Sequence, residues 1–298
     1  MQRCPLCAGP AAHAFTTRDH NRRVRDEPFV YVRCSVCGVL SLRDVPDDLA
    51  SFYPQDYFVL PAIDELRALG RAQRYPIELV QRHAGGGRLV EIGPGNGIFA
   101  LQALDAGFDV TAIEIDPAAA QHLRTTLGIE VIESGAPHDA LAGRGPLDAV
   151  VAWQVIEHVP QPWALLQASA EQLAPGGVLV LATPNPAAFG LRMLGGRWPH
   201  VDAPRHLFLI PHGALIARAR ALGLEPVLLT ATDPIGRMWN AFAWQYLLRR
   251  PGASRLRELA ARAAGIAIAG LLAPIERRGI RGAAYTVVLR KPPRSAHS

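Results

Sequence analysis

Between residues 88 and 230 the chain alternates short apolar runs with longer stretches whose apolar residues recur every three or four positions. Apolar runs of four to seven residues bounded by turn residues read as buried strands, and the longer recurrence reads as helices packed on them. Strands are expected at 88–92, within 109–117, and at 129–133, 147–152, 178–182 and 225–230. Helices are expected at 98–106, 163–173 and 211–222, with a leading helix at 63–82. Strict alternation of strand and helix implies a parallel sheet with crossover helices, an α/β class. Residues 284–290 have the composition of one more strand. The tract 233–282 before it is then a helical insertion, in which Leu256, Leu259, Ala263 and Ile266 fall on one helical face beside Arg255, Glu258 and Arg262. Its uncharged run, 263–275, is too short to span a bilayer unaided.

Two places depart from this regular pattern. The first strand runs through Glu91 into Gly93, Gly95 and Gly97 before the helix begins. Glycines there let backbone adopt unusual torsions and approach a ligand lying over the helix N-terminus. The spacing is not the G-x-G-x-x-G of dinucleotide folds. The second strand ends in Glu114 and Asp116, about 20 residues on, where an acid of a doubly wound sheet reaches ribose hydroxyls. One of these acids is the expected ribose ligand, and Asp116-Pro117 has the pattern of a cap for the next helix.

The other departure is at the amino end, where all four cysteines stand as Cys4-x-x-Cys7 and Cys34-x-x-Cys37. Two such knuckles complete a tetrahedron for a structural Zn²⁺, while disulfides are not expected without a secretion signal and a redox motif would not need a matching second pair. With a strand-like segment at 28–33 between them, residues 1–45 read as a zinc ribbon. His13 and His20 are expected on its polar surface. Residues 46–87 form a linker and leading helix, aromatic-rich at 51–58, and 88–298 the main domain. No apolar signal region follows Met1, so a cytoplasmic protein, with membrane-peripheral contact through 233–280 as a sharper reading, is the expectation. The formal charge of +5 permits an anionic partner and requires none.

The segments Glu91–Gly97, Glu114–Asp116, Val155-Ile-Glu-His-Val159 and Leu173-Ala-Pro-Gly-Gly177 stand in an order and spacing that resembles class I S-adenosylmethionine (SAM) dependent methyltransferases. The resemblance covers about 88–230 and implies a Rossmann-like seven-stranded sheet whose last strand is antiparallel. It implies that Glu91, Gly93, Gly95, Gly97, Glu114, Ile115, Trp153 and Gln154 bind SAM, Ile115 beside the adenine. The family often carries an acid for the adenine amino group after the third strand; only Glu133 stands near that position. The Asn/Asp-Pro-Pro-Tyr/Phe signature of amino-methylating relatives is absent, which disfavours methylation of a base amine.

Displacement at the sulfonium methyl by a hydroxyl or acidic carbon calls for a base. His158 leads, with Glu157 to orient it, and His206 is the second candidate. Arg205 beside His206 suits a substrate carboxylate or phosphate. The acid–His segment is similar to that of quinone O-methyltransferases that use a metal. The four-Cys module resembles that of sugar C-methyltransferases, whose large third domain this chain lacks, and that of certain ribosomal RNA guanine methyltransferases. The expected function is methylation of a hydroxyl or carbon of a small molecule of sugar, glycan or lipid type, with nucleic acid disfavoured as a partner. A zinc-ribbon RNA methyltransferase and a non-catalytic SAM-binding protein are the alternatives.

Overall fold

The computed structural model describes residues 2–54, 57–248 and 254–293. Along the chain the strands are β1 (Gln2–Arg3), β2 (Pro10–Thr17), β3 (Phe29–Cys34), β4 (Leu40–Leu42), β5 (Gly87–Ile92), β6 (Phe108–Glu114), β7 (Glu130–Glu133), β8 (Leu147–Trp153), β9 (Leu173–Pro184), β10 (Phe208–Leu209), β11 (Glu225–Thr230) and β12 (Ala284–Arg290). The helices are α1 (Ile63–Ala72), α2 (Tyr75–Ala84), α3 (Ile98–Asp105), α4 (Pro117–Leu127), α5 (Pro137–Leu141), α6 (Pro162–Gln172), α7 (Phe189–Leu194), α8 (His212–Ala221), α9 (Pro234–Leu248) and α10 (Arg255–Glu276).

Seven strands form one sheet in the order β11-β12-β9-β8-β5-β6-β7. The four pairs joining β9, β8, β5, β6 and β7 are all parallel. β12 runs the other way against β9: Gly176 N donates to Lys291 O at one end and Asn185 N to Ala283 O at the other. This is the sheet expected of a class I methyltransferase. β8 sits near its middle and is buried almost throughout, as a strand covered on both faces must be. The crossover helices cap as their sequences dictate. Asp116 accepts from Ala119 N at 2.7 Å ahead of Pro117, and Gly128 closes α4 in the left-handed conformation.

Three elements differ from the pattern reading. The leading helix is two, α1 and α2, because Pro76 in the second cannot donate a backbone bond to the turn before it. The fifth strand starts at Leu173 rather than Val178: Leu147 pairs with Leu173 and Ala149 with Val178, and Ala174-Pro-Gly-Gly177 takes up the shift as an irregularity within the strand. The insertion holds two helices, α9 and α10, and residues 249–253 of its arginine-rich stretch lie outside the described residues.

The chain divides into two compact units that cut across the three segments read from the sequence. One comprises residues 54–182, 216–228 and 287–298, with a core from the central strands and α2, α3 and α4, including Leu89, Phe99, Leu123 and Val151. The other joins residues 1–53 to 183–215 and 229–286. It contains a second sheet, β1-β2-β3-β4-β10, whose last strand comes from far down the chain. The cysteine module is therefore built into a larger unit with α9 and α10.

Candidate active site

The three glycines of the β5–α3 turn all have positive φ: 64° at Gly93, 55° at Gly95 and 85° at Gly97. None has room for a side chain. A Cβ would lie 2.7 Å from Val155 at Gly93, from Phe58 at Gly95 and from Leu123 at Gly97. Backbone torsion and crowding therefore both require glycine here. Phe58, from the aromatic linker, lies over the turn in edge contact with Tyr57, a role not legible in the sequence. Phe52, by contrast, is buried in the other unit against Phe29 and under the Arg25 guanidinium.

Glu91 sits at the end of β5, 2 % exposed, with Oε2 unpaired among the described residues. Burial, reinforced by the Glu114 carboxylate, pushes its carboxyl well above the usual range. An ammonium brought beside it would oppose that shift and favour the charged form. Glu114 ends β6. Its Oε2 accepts from Gly95 N at 3.0 Å and its Oε1 from Ile115 N and Asp116 N at 2.8 and 2.9 Å. Burial raises this acid, against those three amides that lower it. A carboxylate has about four acceptor positions, so one remains for a hydroxyl beside the glycine turn. Ile115 is 69 % exposed next to it, a bare apolar platform for a flat ring. Glu133, at the end of β7, is ion-paired with Arg124 through Oε1 and remains partly exposed.

The turn after β8 adds two more unmet donors. Trp153 Nε1 and Gln154 Nε2 are buried without a hydrogen-bond partner among the described residues. Trp153 packs on Phe99 of α3 at 5.4 Å, and Gln154 is held at φ 58°, its backbone N–H donating to Ala182 O at 2.7 Å. A non-glycine residue in the left-handed region is costly and marks a loop fixed for a purpose. The next turn, closed by His158 N to Val155 O at 2.9 Å, carries a fully buried Glu157 and a half-buried His158. Carboxyl edges of parallel strands are where such sheets bind ligands. The glycine cradle, the buried Glu91, Glu114 with a free acceptor position, and two buried donors unpaired among the described residues fit SAM, whose ends are an ammonium acid and a nucleoside.

In the other unit Arg205 is not a substrate contact. It is fully buried and bidentate to Asp19 at 2.6 and 3.2 Å, bound to Asp202 at 2.7 and 3.0 Å, and donates to Phe52 O. Burial raises Asp202, but the Arg205 guanidinium, with His206 and Asn21 beside it, outweighs this and holds it near 2. His206 is 7 % exposed, its Nδ1 2.9 Å from His200 O and its Nε2 3.9 Å from Asp202. Tyr31 OH donates to the His206 carbonyl, fastening this segment to β3. The cluster is a clamp between the cysteine module and the segment before β10.

The four cysteines are unbonded, with Sγ distances of 3.4 Å for Cys7–Cys34 and Cys7–Cys37 and 3.7 Å for Cys4–Cys37. Four sulfurs held 2.3 Å from a tetrahedral centre lie about 3.8 Å apart. Backbone amides point at two of them, Leu6 N at Cys4 and Val36 N at Cys34. This donor set fits Zn²⁺. His13 and His20 are on the surface, as expected.

A family model described as a methyltransferase domain matches residues 66–229, more than half of the chain. A ubiquinone biosynthesis O-methyltransferase of Xanthomonas axonopodis pv. citri (strain 306) is 35 % identical over 124 residues, covering 38 % of this chain and 50 % of that protein. One of Xanthomonas campestris pv. campestris (strain B100) is 33 % identical over 120 residues, with the same coverage. The chain spans about half the length of the curated relatives it matches. Among solved structures, a SAM-dependent methyltransferase from Archaeoglobus fulgidus superposes with a TM-score of 0.51 at 17 % identity, covering 76 % of this chain and 94 % of that one. A geranyl diphosphate methyltransferase gives 0.50 at 14 % identity over 74 % and 78 %. These two share the fold. With the domain matched across the glycine turn, the ribose acid and the β8 turn, the chain belongs to the methyltransferase-domain family and is a class I SAM-dependent methyltransferase.

Proposed function

We propose that the enzyme methylates a hydroxyl of a small lipid- or glycan-type molecule, with His158 as the base. When bound, SAM supplies an electrophilic methyl whose carbon–sulfur bond breaks as the acceptor oxygen bonds the methyl carbon. His158 takes the hydroxyl proton, so the oxygen attacks with a lone pair and no charge is left on the product. The observation that carries this reading is the β8 turn, where a half-buried imidazole follows a fully buried acid at the carboxyl edge of the sheet. Glu157, adjacent to it and withdrawn from solvent, would orient the ring and favour the imidazolium that forms. The named activity of the Xanthomonas relatives, O-methylation in ubiquinone biosynthesis, supports a hydroxyl acceptor. Cys4, Cys7, Cys34 and Cys37 would hold a structural Zn²⁺, a closed four-ligand site with no open position for catalysis.

Replacing His158 with Ala should lower turnover by about 10²–10⁴-fold, as loss of a general base does, while SAM affinity by titration changes little. His206→Ala should act mainly on unfolding, because its ring is part of the buried clamp. Unchanged turnover in the His158 variant would remove it as the base.

A further inference from the structure

α10 is long and apolar enough to cross a bilayer, yet only 6 % of its most apolar window is buried. Its inner face lies on α9, so closely that a Cβ at Gly265 would sit 2.4 Å from the Gln245 Cα. Glu276 at its end accepts from Trp244 Nε1 of α9 at 2.7 Å. α9 is in turn tied into its own unit: Asn240 accepts from Ala283 N, and Tyr246 OH donates to Asn21 O. These contacts lay the helix along α9 within its own unit. What it leaves outward is one face.

That face bears Leu256, Leu259, Ile266 and Leu271, between 55 and 80 % exposed, and at 3.6 residues per turn the positions between them are alanine, glycine and Pro274. It carries no side chain able to hydrogen-bond. Arg257 flanks it on one side and Arg255 and Arg262 on the other. Just past its carboxyl end is a cleft of about 590 Å³, lined by Arg192, Arg278 and Arg281 with Pro186, Ala187 and Gly279. The three guanidinium groups are exposed and have no carboxylate partner among the described residues.

We propose that α10 and this three-arginine cleft form a docking surface for an anionic phospholipid bilayer. The helix lies in the interfacial plane with its apolar face among the acyl chains, and the cleft receives headgroup phosphates. Charge complementarity selects the occupant. Six arginines at residues 255–281 and Arg192 ring the face, against Glu258, paired with Arg262, and the hydrogen-bonded Glu276. A partner protein would find no aromatic anchor or hydrogen bond on the face to fix its register, whereas a bilayer needs neither. The surface does not depend on which hydroxyl is methylated.

The test is cosedimentation of the full chain with phosphatidylcholine vesicles, with and without phosphatidylglycerol, at low and high salt. The expected result is binding to the anionic vesicles alone, weakened by salt. An Ile266→Glu, Leu271→Glu variant should lose it by at least about tenfold. An Arg192→Glu, Arg278→Glu, Arg281→Glu variant should lose about a hundredfold. Unchanged SAM affinity in both variants shows that they fold. Equal binding to neutral vesicles, no binding to either, retention of binding by either variant, or a dimer in sedimentation velocity that α10 substitutions dissociate would each overturn the proposal.

Discussion

Arg205 shows how far a side chain's chemistry can mislead when its neighbours are distant in sequence. An arginine beside a histidine after the fifth strand reads as an anion-binding group. Of its two carboxylate partners Asp202 is three residues away, but Asp19, which takes both arms of the guanidinium, lies 186 residues away and is fully buried with it. Removing one partner of a buried ion pair strands the other, at a cost of about 3–5 kcal/mol. Arg205→Met should therefore lower unfolding free energy in urea by about that amount, since Asp19 and Asp202 lose their shared counter-charge. A loss under about 1 kcal/mol would mean that the clamp does not hold the unit together.

At the scale of elements, the strand-turn-helix motifs were legible because their causes are local. Glycine torsions, an acid at a strand end, and Asp-Pro at a helix start act within a few residues of one another. The break before Pro76 was also local and could have been read from that residue alone. Phe58 over Gly95 could not, because it depends on how an aromatic linker folds back on the glycine turn. Adding a methyl at Gly95 forces a left-handed alanine, worth about 1–2 kcal/mol of strain, and drives it into that ring. The turn can relieve this only by leaving the shape that receives the ligand. Gly95→Ala should thus weaken SAM binding by roughly 5–30-fold in calorimetric titration. Phe58→Ala in the same background should restore part of the loss, and an unchanged affinity in Gly95→Ala would show that the turn is not the cradle.

In the whole molecule, the seven-stranded sheet and the cofactor are legible in the sequence, and the organisation around them is not. Periodicity marks strands and helices, but it does not say that residues 183–215 and 229–286 join the cysteine module in one unit, or that β10 completes its sheet. Such joins are made by contacts far apart in sequence, such as Tyr31 with the His206 carbonyl and Tyr246 with the Asn21 carbonyl. The acceptor is not written in any such local motif: the β8 turn offers His158 as the proposed base and says nothing of the molecule to be methylated. The central claim is transfer from SAM to a hydroxyl oxygen through His158. Its most direct measurement uses SAM carrying a ¹³C methyl, incubated with the enzyme and a fractionated lipid and glycan extract, with the product read by NMR. The account predicts label in a methoxy carbon, greatly reduced with the His158→Ala enzyme; label in an N-methyl or C-methyl carbon, or in RNA, would contradict it.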